Sequence, residues 1–356
     1  MGGWRPRTVA CVCFPSAVLC RYSIAGAPLN TSSSLRRAVL HLAVGIAATG
    51  ALTVGVGAAP TAAAEITTVS TASELKSALA SATAGDTIRL DDGVYRGKFA
   101  ASADGTAAAP ITLVGGRDAV LTTGSTSSGY AFGLSGDHWN LSGFTVSVAK
   151  KGIVLDHSSG SRLDGLDIGS IGQEAVHVRS DSRDVVVANS AIHDTGLDSP
   201  EYGEGVYVGS AKSNWASITG SASRPDRSDG VTISGNTFTN TSAEGVDIKE
   251  GTAAGAVISN VFVNAGFSGV NYADSWVDVK GNGYLVQGNS GTTAVTDAFQ
   301  VHVALDGWGN GNVFRGNGAV TGVPGYEVNV HSAAAGTVVE CAPTGASGGL
   351  SNVACG

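Results

Sequence analysis

Leu141-Ser-Gly-Phe-Thr-Val146, Leu163-Asp-Gly-Leu-Asp-Ile168 and Val187-Ala-Asn-Ser-Ala-Ile192 follow one another at about 24-residue intervals, each an apolar strand leading into a Gly/Asn turn. The unit returns as Ile233-Ser-Gly-Asn-Thr-Phe238, Val257-Ile-Ser-Asn-Val-Phe262, Val286-Gln-Gly-Asn-Ser-Gly291 and Phe314-Arg-Gly-Asn-Gly-Ala319. The interval rises to the high twenties further on and reaches 47 from Asn189 to Asn236. Self-similarity at a period of roughly 20 to 50 residues signals a solenoid or array. A Gly/Asn turn between very short strands suits a backbone that visits positive φ once per coil. Leucine-rich and propeller repeats fit less well, since neither a regular leucine frame nor a Trp-Asp signature recurs.

Composition points the same way. The 51 Gly, 9 Pro, 1 Met and 14% charged residues, with abundant Val, Thr and Ser, suit many short strands rather than helices. The expected fold class is all-β: a single-stranded right-handed parallel β-helix over residues 65–356. Each coil buries itself against the next, so one elongated stack replaces the several cores that a chain of this size usually needs.

A second repeat carries polar side chains. Its members are Glu174-Ala-Val-His-Val-Arg179, Glu204-Gly-Val-Tyr-Val-Gly209, Glu244-Gly-Val-Asp-Ile-Lys249, Asp274-Ser-Trp-Val-Asp-Val-Lys280 and Asp297-Ala-Phe-Gln-Val-His302. Side chains alternate faces along a strand. The valines and Ile248 therefore face one way, while His177, Arg179, Tyr207, Asp247, Lys249, Asp278, Lys280, Gln300 and His302 face the other. Stacked as rungs, they form two polar columns beside a third, acidic one. The long interval holds an unperiodic loop, Lys212 to Gly230, with Trp215, Arg224, Asp226, Arg227 and Asp229. It abuts the rungs of Glu204 and Glu244 and is expected to wall the site.

Both ends of such a stack need covering. Thr71-Ala-Ser-Glu74 has capping-box spacing, and Leu75, Ala78, Leu79 and Ala82 form one apolar face before Gly85. The spacing predicts a capping helix here, with Thr87-Ile-Arg-Leu90 opening the first coil. Cys341 and Cys355 are the only cysteines after residue 64 and are expected to form a disulfide, which fits an oxidising compartment. Arg36-Arg37, the apolar run from Ala38 to Ala59, and Thr61-Ala-Ala-Ala64 read as a secretion signal. Residues 1–64 are thus expected to be a removed extension, and the mature protein to be a secreted, extracellular monomer with no membrane segment. Ser34-Leu-Arg-Arg37 faintly matches a twin-arginine signal.

Removing residues 1–64 takes away five Arg and no acid, leaving 16 basic against 29 acidic side chains, a formal charge of −13. Bulk electrostatics then disfavour nucleic acid and anionic membranes, so a polyanionic partner has to be received locally.

Ala243-Glu-Gly-Val-Asp-Ile-Lys249 and Ala273-Asp-Ser-Trp-Val-Asp-Val-Lys280 resemble segments of the calcium-dependent polysaccharide lyases built on a pectate-lyase-like parallel β-helix. In family nine pectate lyases a similar stretch ends in the Lys base. In the family six lyases of chondroitin and alginate, a calcium-binding Glu precedes the catalytic Lys by five residues, as Glu244 precedes Lys249. The match in motif spans two coils. The family six Arg of the following coil is replaced by Asp278 or Lys280, its second acid by Ser242, and the aspartate cluster of family nine has only Glu201 and Glu204 as counterparts. The resemblance implies β-elimination on an acidic, uronic-acid polysaccharide, with Lys249 as base and Glu244 as a calcium ligand.

The residues support that chemistry independently. A base must remove the uronate C5 proton while a cation or Arg neutralises the adjacent carboxylate. A Lys is a base only when uncharged, against a reference pKa of about 10.4, and neighbouring acids oppose that unless they face a cation. Glu204, Glu244, Asp247 and Asp274 are candidate Ca²⁺ ligands, since hard oxygens suit calcium and no His/Cys spacing suggests zinc. Lys280 adds a like charge beside Lys249. Arg179 and His177 are candidates for a neighbouring carboxylate or an acid, and Tyr207 or His302 for protonating the leaving oxygen. Trp215, Trp276 and Asp278 are candidate substrate contacts. Asp278 and Lys280 read equally well as a cross-strand ion pair, Trp276 as a packed core aromatic, and His157, His193 and His331 as structural. Two other functions stay open: a hydrolase using Glu244, Asp247 and Asp278 as paired carboxylates, and a non-catalytic binding or surface-structural solenoid.

Overall fold

The computed structural model describes residues 64–318 and 320–356. Residues 1–63, where the secretion signal is expected, lie outside the described residues. Three parallel sheets of eleven, ten and nine strands wind around one core, the expected parallel β-helix. The expected capping box is present: the Thr71 hydroxyl accepts from Glu74 N, and the Glu74 carboxylate accepts from Thr71 N. It opens a helix, Ala72–Ser81, that lays Leu75, Ala78 and Leu79 against the first strands. The helix stops short of Gly85, at Ala82, whose backbone is extended. A strand that the periodicity misses, Ile66–Val69, precedes it and pairs with Thr87–Leu90, so the first coil begins earlier than expected.

The core consists of columns. Ile153, Val176, Val206, Val246, Val277, Phe299 and Val328 are in register on the ten-stranded sheet. Phe238 and Phe262 stack at 5.0 Å, Phe262 and Trp276 at 5.9 Å, and Trp276 meets Phe299 edge-on at 5.8 Å. Gly205 and Gly245 make room for this stack, because a Cβ would lie 2.6 Å from the Phe238 ring at Gly205 and 2.7 Å from the Phe262 ring at Gly245. Trp276 occupies the corner that Gly245 leaves empty one coil earlier.

The Asn turns form a second column. Asn236, Asn260, Asn289 and Asn317 are buried, and each Oδ1 accepts the backbone N–H of the preceding coil's turn at 2.9 to 3.0 Å. The residue before each bears the positive φ: Gly235 (66°), Ser259 (54°), Gly288 (66°) and Gly316 (56°). Asn189 is not part of this ladder. It has φ 50° and aligns with Gly235, so the long interval is one residue shorter in register than the Asn spacing implies, and Ser190 takes the ladder position beside Asn236. Cys341 and Cys355 form the expected disulfide, closing a loop of sequence separation 14 at the C-terminal end.

Candidate active site

On the outer face of the ten-stranded sheet, Val154, His177, Tyr207, Asp247, Asp278, Gln300 and Asn329 are aligned by strand pairing. Two residues further along each strand come Asp156, Arg179, Gly209, Lys249, Lys280, His302 and His331. Two residues before each core Val lie Glu174, Glu204, Glu244 and Ser275. The three columns read from the alternating pattern therefore exist, with one change. Asp274 drops out of the acidic column because its segment carries an extra residue, which puts Ser275 opposite Glu244. Asp274 instead accepts a hydrogen bond from Gln300 Nε2 at 2.9 Å, away from the other three candidate ligands.

A cavity of about 620 Å³ opens over these rungs, lined among others by Glu204, Tyr207, Glu244, Asp247, Lys249, Asp278, Lys280 and His302. Asp247 Oδ2 lies 2.5 Å from Lys249 Nζ and its Oδ1 2.9 Å from Lys280 Nζ. Lys280 also meets Asp278 Oδ2 at 2.5 Å, and Asp278 Oδ1 accepts from His302 Nδ1 at 2.8 Å. Lys249 Nζ stands 5.0 Å from the centre of the Tyr207 ring. Burial alone would lower the Lys280 pKa, but Asp247, Asp278 and Glu244 hold it well above its ordinary value. Against burial, Lys280 and His302 hold the Asp278 carboxyl below the usual range, and Asp278 in turn raises His302. Asp278 and Lys280 thus face the cavity while forming the cross-strand pair that the sequence also allowed.

Glu204, Glu244 and Asp247 each present an oxygen within 4.8 Å of the others, and all three are buried. Among the described residues, Glu204 Oε2 has no hydrogen-bond partner. Burial, then Glu174 and Asp247, pushes Glu204 up to about 8, and burial with Asp247 pushes Glu244 well above the carboxylate range. Two such carboxyls need either protons or a cation. Burial, then Asp247 and Glu204, holds the Tyr207 hydroxyl well above its ordinary pKa, so it keeps its proton.

Arg179 and His177 belong to a neighbouring cavity of about 390 Å³, one coil nearer the N-terminus, which shares Tyr202, Glu204, Tyr207 and Asn214 with the first. Arg179 is held bidentately by Asp156 at 2.6 and 3.0 Å. His177 is buried, packs edge-on against Tyr207 at 4.5 Å and is kept well below its ordinary pKa by burial and by Lys151 and Arg179.

Both tryptophan candidates are corrected. Trp276 is fully buried in the core stack, because its corner faces inward. Trp215 is buried under its own loop, with Nε1 donating to Ser210 O at 2.9 Å. The loop nonetheless lines the cleft, through Ser213 and Asn214. Asp226 anchors it, accepting from Ser180 N, Asp181 N, Ser210 Oγ and Ser228 Oγ at 2.8 to 3.1 Å.

Sequence reasoning missed the opposite wall. Tyr202 and Tyr272, exposed on short 3₁₀ turns, line the main cavity with Asn271, and His331, read as structural, lies at its far end. Loop turns have no period, so only their nearness to Glu204 and Asp274 in the chain hinted at them.

No protein-family model matches this chain, and no curated protein does. Among solved structures, an alginate lyase from Paenibacillus sp. str. FPU-7 is 40% identical over 82% of this chain and 96% of its own, with a TM-score of 0.74. The chain belongs to that alginate lyase's family. Pectate lyase Pel9A shares the fold at 15% identity, with a TM-score of 0.53 over 79% of each chain. A lacto-N-biosidase from Eubacterium ramulus shares it at 9% identity and a TM-score of 0.54, over 79% of this chain and 68% of its own. At such identities the likeness concerns the winding alone, whereas the alginate lyase family is matched along nearly its whole length.

Proposed function

We propose that this protein is a secreted lyase of acidic polysaccharides that cleaves alginate by β-elimination in the cavity over Tyr207, Asp247, Lys249 and Lys280. The observation that carries this reading is the placing of Lys249 and Tyr207 side by side on one carboxylate-lined floor, in a chain 40% identical to an alginate lyase. Lys249 takes the C5 proton. The C5 electron pair forms the C4–C5 double bond, the C4–O bond breaks, and the Tyr207 hydroxyl protonates the leaving oxygen. Tyr207 suits the donor role because its surroundings keep it protonated.

Asp247 meets two cations, Lys249 through Oδ2 and Lys280 through Oδ1. Lys280, doubly held and strongly protonated, occupies one of its oxygens, and His302 draws on Asp278. Lys280 and His302 are then the cations placed to receive the uronate carboxylate.

Glu204, Glu244 and Asp247 also fit a calcium ion. They are three hard oxygen donors in reach of one another, with Glu204 Oε2 unpartnered, although Asp247 is shared with the two lysines. Bound there, calcium would neutralise a substrate carboxylate and acidify the C5 proton. Asp274 is not in this set.

The test is purified protein on alginate, pectate, glucuronan and glycosaminoglycans, with added calcium or a chelator, following the ultraviolet absorbance of unsaturated uronide. Alginate should yield the chromophore, and Lys249→Ala should reduce the rate at least a thousandfold. Full activity in that variant, or reducing ends without the chromophore, refutes the elimination. Unchanged rate in chelator, with no calcium uptake by calorimetry, removes the metal and leaves the lyase standing.

A further inference from the structure

Three tyrosines border the main cavity, and they differ in exposure. Tyr207 is 8% exposed, Tyr202 49% and Tyr272 82%. Tyr272 follows Asn271, and both hold a left-handed backbone, at φ 65° and 56°, a state that side chains with a Cβ adopt at a cost. An aromatic ring left in water on a strained turn, at the mouth of a cavity, is a surface that a ligand would cover.

The coil between the two turns joins them into one wall. Ser242 Oγ donates to Pro200 O at 2.8 Å, in the turn Pro200–Tyr202, and Ser242 O accepts from Ser268 N at 3.0 Å, just before the turn Val270–Tyr272. The turns themselves lie against each other. Tyr202 and Tyr272 thus stand ahead of the strands Val206–Val208 and Val277–Val279, which are two coils apart, and Ser213 and Asn214 line the same cavity past the other end of the first. With walls at both strand ends, the open direction runs across the rungs, along the helix axis. The smaller cavity continues it, and Tyr202 borders both.

The floor between the walls carries Asp247, Lys249, Asp278, Lys280 and His302. A pyranose has its hydroxyls and carboxylate on the rim and C–H bonds on its faces, so a charged floor takes the rim while a flat ring takes a face. Successive rungs are about 4.8 Å apart, close to the advance of one 1,4-linked pyranose, so the wall from the Glu204 rung to the Ser275 rung faces about two units.

We infer that Tyr202 and Tyr272 form a stacking wall that holds the C–H faces of two uronate units of one chain, so that the polymer lies along the helix axis and not along a strand. This rests on the lyase reading above and adds to it the path of the substrate. Both tyrosines are binding residues here, and the ring, not the hydroxyl, is what each supplies.

The experiment measures binding of saturated mannuronate tetrasaccharide by calorimetry, with Lys249→Ala as the background so that nothing is cleaved. Adding Tyr202→Ala or Tyr272→Ala should each weaken binding roughly fivefold to tenfold, and adding both should weaken it by about the product, since separate units are held. Tyr202→Phe and Tyr272→Phe should bind within about twofold of the background, because the face is kept. Loss at only one of the two rings would place the chain along a strand and overturn the wall, as would loss at neither, or Phe variants as weak as the Ala variants. The elimination is read separately, by the ultraviolet chromophore from polymer. If no chromophore forms but the tetrasaccharide binds and both rings matter, the wall stands while the elimination falls. If polymer is cleaved and both Ala variants bind like the background, the wall falls while the elimination stands.

Discussion

Glu204 shows how one residue expresses the conflict in this site. Its folded pKa, near 8, lies above the ordinary 4.5, so between those values the folded protein keeps a proton that the unfolded chain releases. Stability is therefore lost as pH rises through that window, at up to about 1.4 kcal/mol per pH unit. Glu204→Gln should stabilise the protein at pH 8 in chelator and leave it unchanged near pH 4, as read by urea unfolding at the two pH values. Added calcium should reverse the order at pH 8, stabilising only the wild type. An equal effect of the substitution at both pH values would show that burial of this carboxyl is not what sets its energy.

At the scale of an element, the turn ladder turns a weak sequence signal into directional hydrogen bonds. Asn260 Oδ1 accepts from Asn236 N and Nδ2, and its own Nδ2 donates to Ile233 O and Asn289 Oδ1. Asn260→Ala leaves a buried N–H and a buried carbonyl unpaired, so it should cost about 1–3 kcal/mol, measured by chemical denaturation. Asn260→Ser should cost less, because Ser190 holds the equivalent place and its Oγ accepts from Leu166 N at 3.1 Å. The repeat made these turns legible, since an apolar strand before Gly-Asn is a local pattern. The one-residue offset at Asn189 was not, because its positive φ is a backbone state that either Gly or Asn supplies.

Over the whole molecule, coils hold only their neighbours, so stability is close to a sum along the axis and the ends open first. The disulfide Cys341–Cys355 lies beyond the last long strand, and the intervening Gly349–Ser351 pairs with Tyr326–Val330. Reduction should cost about 3 kcal/mol in the chain-entropy model. Hydrogen exchange should then show the C-terminal coil opening while the coils around Phe238, Phe262 and Trp276 keep their protection. Uniform loss of protection would mean that the stack melts as one unit.

The alternation of small apolar and polar residues, repeated at nearly constant spacing, was enough to establish the winding, the inward and outward faces, and the gathering of Glu204, Glu244, Asp247, Lys249 and Lys280. These properties depend on periods of two residues and of one coil, and a period is visible along a chain. What only the tertiary structure decided was phase and depth: that Asp274 falls one residue out of line, that Trp276 fills the corner vacated at Gly245, and that Tyr202 and Tyr272 line the cleft. Each depends on how far one coil is displaced against the next, which the spacing of residues within a coil does not encode.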